Sequence, residues 1–169
     1  ADGRHHELDL IIFALGFVAF TGALDAANIR NANGASPTDH WKYGPRTYLG
    51  MTTTGFPNLF LPTGPGSPSV LANLAVQNEH DMDWIADCIT YLYRHGYSTI
   101  EPTPEAQDEW TQHVADAASS LLRLRTNNYM VHVNDDGSRV FIPYVGGLNK
   151  YVARCSAVAA AGYKGFILQ

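Results

Sequence analysis

The chain has 169 residues, of which 46% are hydrophobic and 16% charged, and its formal net charge is −5 at pH 7. These values predict one globular domain with a buried core and exclude a disordered chain. The scattered basic residues argue against nucleic acid as a partner, and the lack of an apolar run of about 20 residues argues against a membrane span. Two cysteines, Cys88 and Cys155, are too few for a disulfide framework, so we expect core thiols in a reducing, cytoplasmic compartment.

The first predicted element is a buried strand. Residues 8–14 form a near-continuous apolar run, which is typical of a strand buried on both faces of a parallel sheet. Gly16 follows at the carboxyl end of this strand, where open α/β sheets bind ligands, and a glycine at an ordinary strand exit is the alternative. Residues 1–4 resemble a turn and lack an initiator methionine, so we expect the chain to be cut from a longer protein, although processing gives the same start.

A short helix and two short strands are predicted next. Ser36 followed by Pro37 is typical of a helix with a serine N-cap. Residues 47–51 and 58–61 have strand-like composition, and the prolines that bracket the second run limit it to a short strand.

A Gly/Pro loop at residues 64–69, with the sequence Gly-Pro-Gly-Ser-Pro-Ser, leads into a long helix that we expect between Ser69 and Gly96. The first N–H groups of a helix are unpaired and its N-terminus carries partial positive charge, so this loop suits an anionic or electron-rich ligand. Its spacing imitates a dinucleotide-binding fingerprint. The match is poor because Ser69 replaces the third glycine and Asp87 lies in the same helix rather than after a second strand.

Further helices and a polar loop complete the chain. Thr103 followed by proline predicts a helix that starts there and runs to about Leu124. Residues 125–139 are the most polar stretch and predict a long surface loop. Residues 140–145 predict a strand, and residues 149–161 predict an alanine-rich helix.

Several common catalytic and metal-binding motifs are absent from the sequence. There is no phosphate-binding Walker sequence, no Gly-x-Ser-x-Gly elbow and no Cys/His spacing of a zinc site. His80 with Asp83 or Asp87 shares one helix face, but no second histidine follows four residues later. We therefore prefer a solvated acidic face to a metal site, and we assign no catalytic residue and no metal ligand.

The ordered motifs resemble those of a flavoprotein family. Residues 7–17 (ELDLIIFALGF) are similar to a strand of flavin monooxygenases. Six further motifs resemble type I Baeyer–Villiger monooxygenases of the cyclohexanone and phenylacetone type: 44–50 (GPRTYLG), 55–60 (GFPNLF), 64–69 (GPGSPS), 83–89 (DWIADCI), 143–147 (PYVGG) and 162–166 (GYKGF). The resemblance implies an α/β fold, namely the C-terminal part of a Rossmann-like FAD-binding domain with short strands and three main helices, over residues 1–169.

The resemblance also implies roles for individual residues. Contacts with FAD are expected from five residues of the loop and of the following helix start: Gly64, Pro65, Gly66, Asn73 and Leu74. A small, apolar substrate-lining bulge is expected from four consecutive residues: Ser69, Val70, Leu71 and Ala72. Leu15 and Gly16 match a motif near the meeting point of the two nucleotides, and Asn128 lies in a loop, residues 125–140, that is expected to be mobile and to face NADP.

The chain departs from the family pattern at some of these positions. Leu15 replaces a threonine, Asn128 replaces a tryptophan, and Val131-His132 and Asp135 replace other residues usual in the NADP-facing loop. The N-terminal flavin-binding glycine motif, the His/Trp fingerprint, the NADP domain and a catalytic arginine of the family have no counterpart in this sequence. We therefore expect the chain alone to be inactive, with exposed sheet edges and an incomplete core.

Two functions remain as hypotheses. The chain is part of a monooxygenase that converts ketones to esters or lactones with FAD, O₂ and NADPH, and its partners are a ketone and the missing N-terminal part of the same enzyme. Alternatively, it is a catalytically silent domain of that fold, which binds a ligand or a partner protein through the same pocket.

Overall fold

The computed structural model describes residues 3–14, 16 and 18–169. The fold is α/β, with three long helices and short strands. The elements in chain order are α1 (Gly22–Ala26), α2 (Pro37–His40), α3 (Leu74–His95), β1 (Ile100–Pro102), α4 (Pro104–Ala118), β2 (Val131–Val133), β3 (Arg139–Phe141), α5 (Leu148–Ala160) and β4 (Phe166–Leu168). Short 3₁₀ turns occupy Ser69–Leu71 and Leu122–Arg125. Within the described ranges, no helix is long and apolar enough to cross a membrane.

Residues that cap helices confirm three of the predicted helix boundaries. Ser36 forms a capping box with Asp39, in which the Asp39 N–H donates to Ser36 Oγ at 3.2 Å and the Ser36 N–H donates to Asp39 Oδ2 at 2.8 Å. The Thr103 hydroxyl accepts from the Ala106 N–H at the start of α4. Gly96 ends α3 with φ of +75°, as expected for a left-handed cap.

The two long predicted helices differ in extent from those observed. The helix expected from Ser69 begins as a 3₁₀ turn and restarts as α3 at Leu74, because Ala72 is extended and Asn73 caps the new helix. The helix expected to reach Leu124 ends at Ala118, and a second 3₁₀ turn follows it.

The main core lies among α3, α4 and α5 and contains aromatic residues from each. Trp84, Trp110 and Tyr151 are at most 5% exposed, and the Trp84 indole N–H donates to the Cys155 carbonyl oxygen at 3.0 Å, which joins α3 to α5. The predicted core thiols are confirmed, since Cys88 and Cys155 are free and buried. Burial raises the pKa of each thiol to about 12.

Three predicted strands are wrong. Residues 8–14 are irregular and exposed. The strands that the structure describes form two antiparallel pairs, β1 with β4 and β2 with β3. Residues 8–14 therefore have no described strand to pair with. Residues 47–51 form a turn with one bridge, and residues 58–61 are irregular. The physical reason for the last two is backbone conformation, since Leu49 and Asn58 have φ of +56° and +62°, which a strand does not accommodate.

The polar loop contains regular structure that the sequence analysis did not predict. β2 and β3 form a hairpin within residues 131–141, with Val131 opposite Phe141 and Val133 opposite Arg139. The strand predicted at 140–145 is therefore β3, which is shorter and begins one residue earlier. The expected mobility of residues 125–140 stays a prediction.

Candidate functional site

The Gly/Pro loop is buried from Gly64 to Ser69 and is held on several sides. The Gly66 N–H donates to the Ile142 carbonyl at 2.9 Å, and the Gly66 carbonyl accepts from the Trp110 indole N–H at 3.2 Å. The Thr47 hydroxyl donates to the Pro65 carbonyl at 2.6 Å. These bonds attach the loop to α4 and to the segment after β3, so its position is set by distant parts of the chain.

Glycines in and under the loop are required by close backbone packing. A Cβ at Gly50 would lie 2.4 Å from the Ser67 nitrogen, and a Cβ at Gly64 would lie 2.6 Å from the Gly50 carbonyl oxygen. A Cβ at Gly66 would lie 2.8 Å from Thr47 Oγ1. Gly66 thus contacts protein rather than open space, so its predicted contact with FAD would come from its backbone alone.

An open, mostly apolar cavity of about 500 Å³ lies against the outer side of the loop. Five predicted site residues line it: Gly64, Pro65, Ser69, Val70 and Leu74. Phe20, Leu24 and Ile29 from the N-terminal segment, Phe60 and Tyr129 contribute further walls. The structure therefore brings together five of the nine predicted FAD and substrate residues at one surface.

Other predicted site residues do not line this cavity. Gly66, Leu71, Ala72 and Asn73 are not among the lining residues, and Leu71 is exposed. Gly16 is exposed, and no described atom beyond its own chain neighbours lies within 4 Å of where its Cβ would be, so the structure does not bring it to the loop. Leu15 lies outside the described residues.

The N-terminus of α3 presents unpaired donors beside the cavity. The Asn73 side chain accepts from the N–H groups of Ala75 at 3.1 Å and Val76 at 3.3 Å, so it is used as a cap. The backbone N–H groups of Asn73 and Leu74 have no acceptor among the described residues. Together with the partial positive charge of the helix, they can stabilise an electron-rich group.

Asn128 organises its own loop. Its side-chain amide donates to the carbonyl oxygens of Arg123 and Thr126, and its side-chain oxygen accepts from the Met130 N–H at 3.0 Å. Its neighbour Tyr129 is 55% exposed and lines the cavity. The loop therefore contacts the site through Tyr129, which the sequence analysis did not single out.

A second cavity, of about 490 Å³, adjoins the first and shares Ala19, Phe20 and Tyr129 with it. Lys42 and His132 also line it, and no carboxylate from the described part of the chain does. The described residues contain no group of three or more His, Cys, Asp or Glu side chains that could hold a metal ion. The solvated face expected around His80 is wrong at Asp81, which is fully buried.

Asp81 is a fully buried residue to which the sequence analysis gave no role. Its carboxylate accepts from the Thr63 N–H at 3.0 Å, from the Gln77 amide at 3.3 Å and from the Tyr151 hydroxyl at 2.9 Å. A sequence signal existed, because Asp81 falls in the buried stripe of α3 with Trp84 and the residues that follow it at helical spacing.

Comparisons of sequence and of structure both relate this chain to monooxygenases. No protein-family model matches the chain. It is 39% identical to acetone monooxygenase (methyl acetate-forming) of Gordonia sp. (strain TY-5), over 99% of this chain and 32% of that protein. It is 36% identical to a Baeyer–Villiger monooxygenase of Pseudooceanicola batsensis, over 98% of this chain and 30% of that protein.

Solved structures agree. The crystal structure of OTEMO in complex with FAD and NADP superposes with a TM-score of 0.91 at 35% identity, over 99% of this chain and 31% of that one. The chain thus spans about a third of the length of the curated relatives that it matches. Given this similarity in both sequence and fold, the chain belongs to the Baeyer–Villiger monooxygenase family of flavoproteins and corresponds to the C-terminal portion of its longer members.

Proposed function

We propose that this chain forms one wall of the flavin and substrate site of a Baeyer–Villiger monooxygenase, which converts ketones to esters or lactones with O₂ and NADPH. The observation that carries the proposal is the apolar cavity between the buried Gly64–Ser69 loop and the start of α3. Bound FAD would supply the redox chemistry with O₂, and the residues of this chain would position it and shape the space for the ketone.

The residues present fit an isoalloxazine ring. The unpaired N–H groups of Asn73 and Leu74 suit the electron-rich pyrimidine edge of a flavin, and the N-terminus of α3 favours the negative charge of its reduced form. Gly64 and Pro65 carry no long side chain, so a flat ring can approach their backbone closely.

The substrate wall in this proposal is small and apolar. Val70 and Leu74 line the cavity with Ser69, while Leu71 and Ala72 continue the same turn without lining it. The apolar lining favours a ketone without charged groups near its carbonyl, because burying an unpaired charge there is costly.

NADP is proposed to bind next to this site. The second cavity shares Tyr129 with the first and carries Lys42 and His132, which suits an anionic ligand. Asn128 contributes by fixing the loop that holds Tyr129, rather than by direct contact. For Leu15 and Gly16, a position near the meeting point of the two nucleotides is proposed from the family resemblance alone.

The N-terminal part of the enzyme is the proposed partner of this chain. Side chains of residues 8–13 are exposed although most are large and apolar, which is the pattern of a segment that another part of a protein covers. We also propose a cytoplasmic location, since Cys88 and Cys155 are free thiols.

A fusion tests the proposed function. The chain replaces the matching C-terminal third of the Gordonia acetone monooxygenase, and the purified fusion is assayed for bound FAD and for ketone-dependent NADPH oxidation. We expect FAD to stay bound through gel filtration and ester to form. A Gly64→Val variant should lose FAD, whereas Gly137→Val, in the exposed hairpin turn, should keep it.

Two results would contradict the proposal. One is a fusion that unfolds cooperatively but holds no FAD. The other is tight FAD binding with NADPH oxidation by the 169-residue chain alone, which would show that it needs no partner segment. If the fusion fails to fold, the chain is mixed with the separately expressed N-terminal part, and failure to associate in sedimentation counts against the proposal.

A further inference from the structure

A buried carboxylate and a buried phenol link two segments that support the site. Asp81 on α3 and Tyr151 on α5 are both 0% exposed, and their Oδ1 and hydroxyl oxygen are 2.9 Å apart. Asp81 also accepts from the Thr63 N–H, and the Tyr151 hydroxyl lies 3.0 Å from the Leu49 carbonyl oxygen. The pair therefore reaches the Gly/Pro loop through Thr63 and the turn beneath it through Leu49.

Both segments contain strained backbone at the points where the pair holds them. Thr63 has φ of +52° and Leu49 has φ of +56°, values that residues with a Cβ seldom adopt. Such conformations persist only where surrounding contacts impose them. The Gly64 N–H donates to the Leu61 carbonyl, and Gly50 packs directly against Ser67, so movement of either strained residue would displace the loop.

Tyr151 and Asp81 have different hydrogen-bonding roles: Tyr151 donates and Asp81 accepts. The Tyr151 hydroxyl has one proton and two acceptors within reach, Leu49 O and Asp81 Oδ1. Burial and the neighbouring Cys155 and Asp81 raise the pKa of Tyr151 well above its usual value, so Tyr151 stays a donor. Asp81 in turn accepts from the N–H of the half-buried Thr63, which has no other acceptor among the described residues.

We propose that Asp81 is a positioning residue, which acts through Thr63 and Tyr151 to hold the Gly64–Ser69 loop where it faces the flavin and the ketone. What the loop faces rests on the proposed function, whereas the link itself does not. A role in packing alone does not account for the geometry, because an apolar side chain at position 81 would fill the space and leave the Thr63 N–H unpaired.

We expect asparagine at position 81 to keep the function of Asp81, and alanine to lose it. In Asp81→Asn the amide oxygen accepts from Thr63, and the NH₂ group donates to the Tyr151 oxygen, whose proton is then free for Leu49 O. Asp81→Ala removes all of these bonds. Tyr151→Phe keeps the buried ring and removes only the hydroxyl, and Asp83→Ala, an exposed acid on the same helix, is the matched control.

Hydrogen exchange followed by mass spectrometry tests the link in the 169-residue chain. In Asp81→Ala and Tyr151→Phe we expect amides of residues 61–69 to exchange about tenfold faster or more, while peptides of α4 change less than about twofold. Asp81→Asn and Asp83→Ala should match the parent. Unchanged loop exchange in Asp81→Ala, or equal damage by Asp81→Asn and Asp81→Ala, would overturn the proposal. If Asp81→Ala unfolds, Tyr151→Phe and Asp81→Asn decide it.

The flavin readout separates positioning from the proposed function. In the fusion described above, Asp81→Ala should raise the dissociation constant of FAD about tenfold and change the flavin absorption spectrum, and Asp81→Asn should restore both. A faster-exchanging loop with unchanged FAD affinity would refute the positioning role and leave the proposed function standing. A fusion that binds no FAD in any variant would refute the proposed function, and hydrogen exchange would still report on the link.

Discussion

The indole N–H of Trp110 donates to the carbonyl oxygen of Gly66, 3.2 Å away, and both residues are buried. This bond joins α4 to the Gly/Pro loop across 44 residues of sequence. Helix α4 thus supports the loop from below, while the cavity lies on its other side.

Replacing Trp110 by phenylalanine tests this support. Trp110→Phe leaves the Gly66 carbonyl without its donor and opens space in the core, so we expect a loss of about 1–3 kcal/mol in the free energy of unfolding. Urea unfolding monitored by circular dichroism measures it. Tyr93→Phe, at a site that is 86% exposed, is the control and should change stability by less than about 0.5 kcal/mol. Equal stability of the two variants would show that the bond is unimportant.

Gly50 should be the least replaceable glycine under the loop. It has φ of +66°, and an added Cβ would lie 2.4 Å from the Ser67 nitrogen, so Gly50→Ala should cost about 3 kcal/mol or more. Gly137 has φ of +81° but open space around it, so Gly137→Ala should cost only about 1 kcal/mol. Urea unfolding measures the stability lost in each variant. Both glycines have positive φ, so the difference between the two losses reports the steric contact at Gly50 rather than the backbone strain.

The buried thiols predict a loss of stability in alkali. Burial raises the pKa of Cys88 and Cys155 from 9.0 to about 12. The folded state therefore holds these protons more tightly, and the stability they contribute is complete below pH 9.0 and is lost as the pH rises towards about 12. Urea midpoints measured across this range should fall less steeply in Cys88→Ala than in the parent. The slope should not vanish, because burial also raises the pKa of Tyr151 and Tyr163.

The exposed N-terminal segment predicts self-association of the chain on its own. Leu10, Ile12 and Phe13 are 74–80% exposed, and clustered apolar side chains of this kind promote contacts between copies. Ile12→Asp should lower the sedimentation coefficient measured at high concentration, whereas Tyr93→Asp on α3 should not. If the parent chain sediments as a monomer at all concentrations, the N-terminal segment does not promote self-association and the prediction is wrong.

Elements with local signals could be predicted from the sequence. The serine cap at Ser36, the threonine cap at Thr103 and the terminating Gly96 act within a few residues, so the helix ends that they mark are close to those observed. Strands depend on distant partners. Residues 8–14 have the composition of a buried strand, but no described strand pairs with them.

The site was predictable in part for the same reason. The loop and the start of α3 are consecutive in sequence, so the position of Ser69, Val70 and Leu74 beside one cavity follows from a local pattern. Asp81 contacts residues 18 positions before it and 70 positions after it. No local pattern encodes such contacts, and only the packing of α3 against α5 shows them.

The cavity wall combines two kinds of residue with different freedom to change. Gly64 and Pro65 are buried and held by backbone contacts, whereas Val70 and Leu74, which also line the cavity, are 41% and 44% exposed. Exchanging the exposed side chains alters the shape of the cavity at a cost of roughly 0.5 kcal/mol or less, since they carry little of the core. Under the proposed function, mutational libraries aimed at new ketones therefore belong at these two positions, where substrate range can diversify while the scaffold keeps its stability.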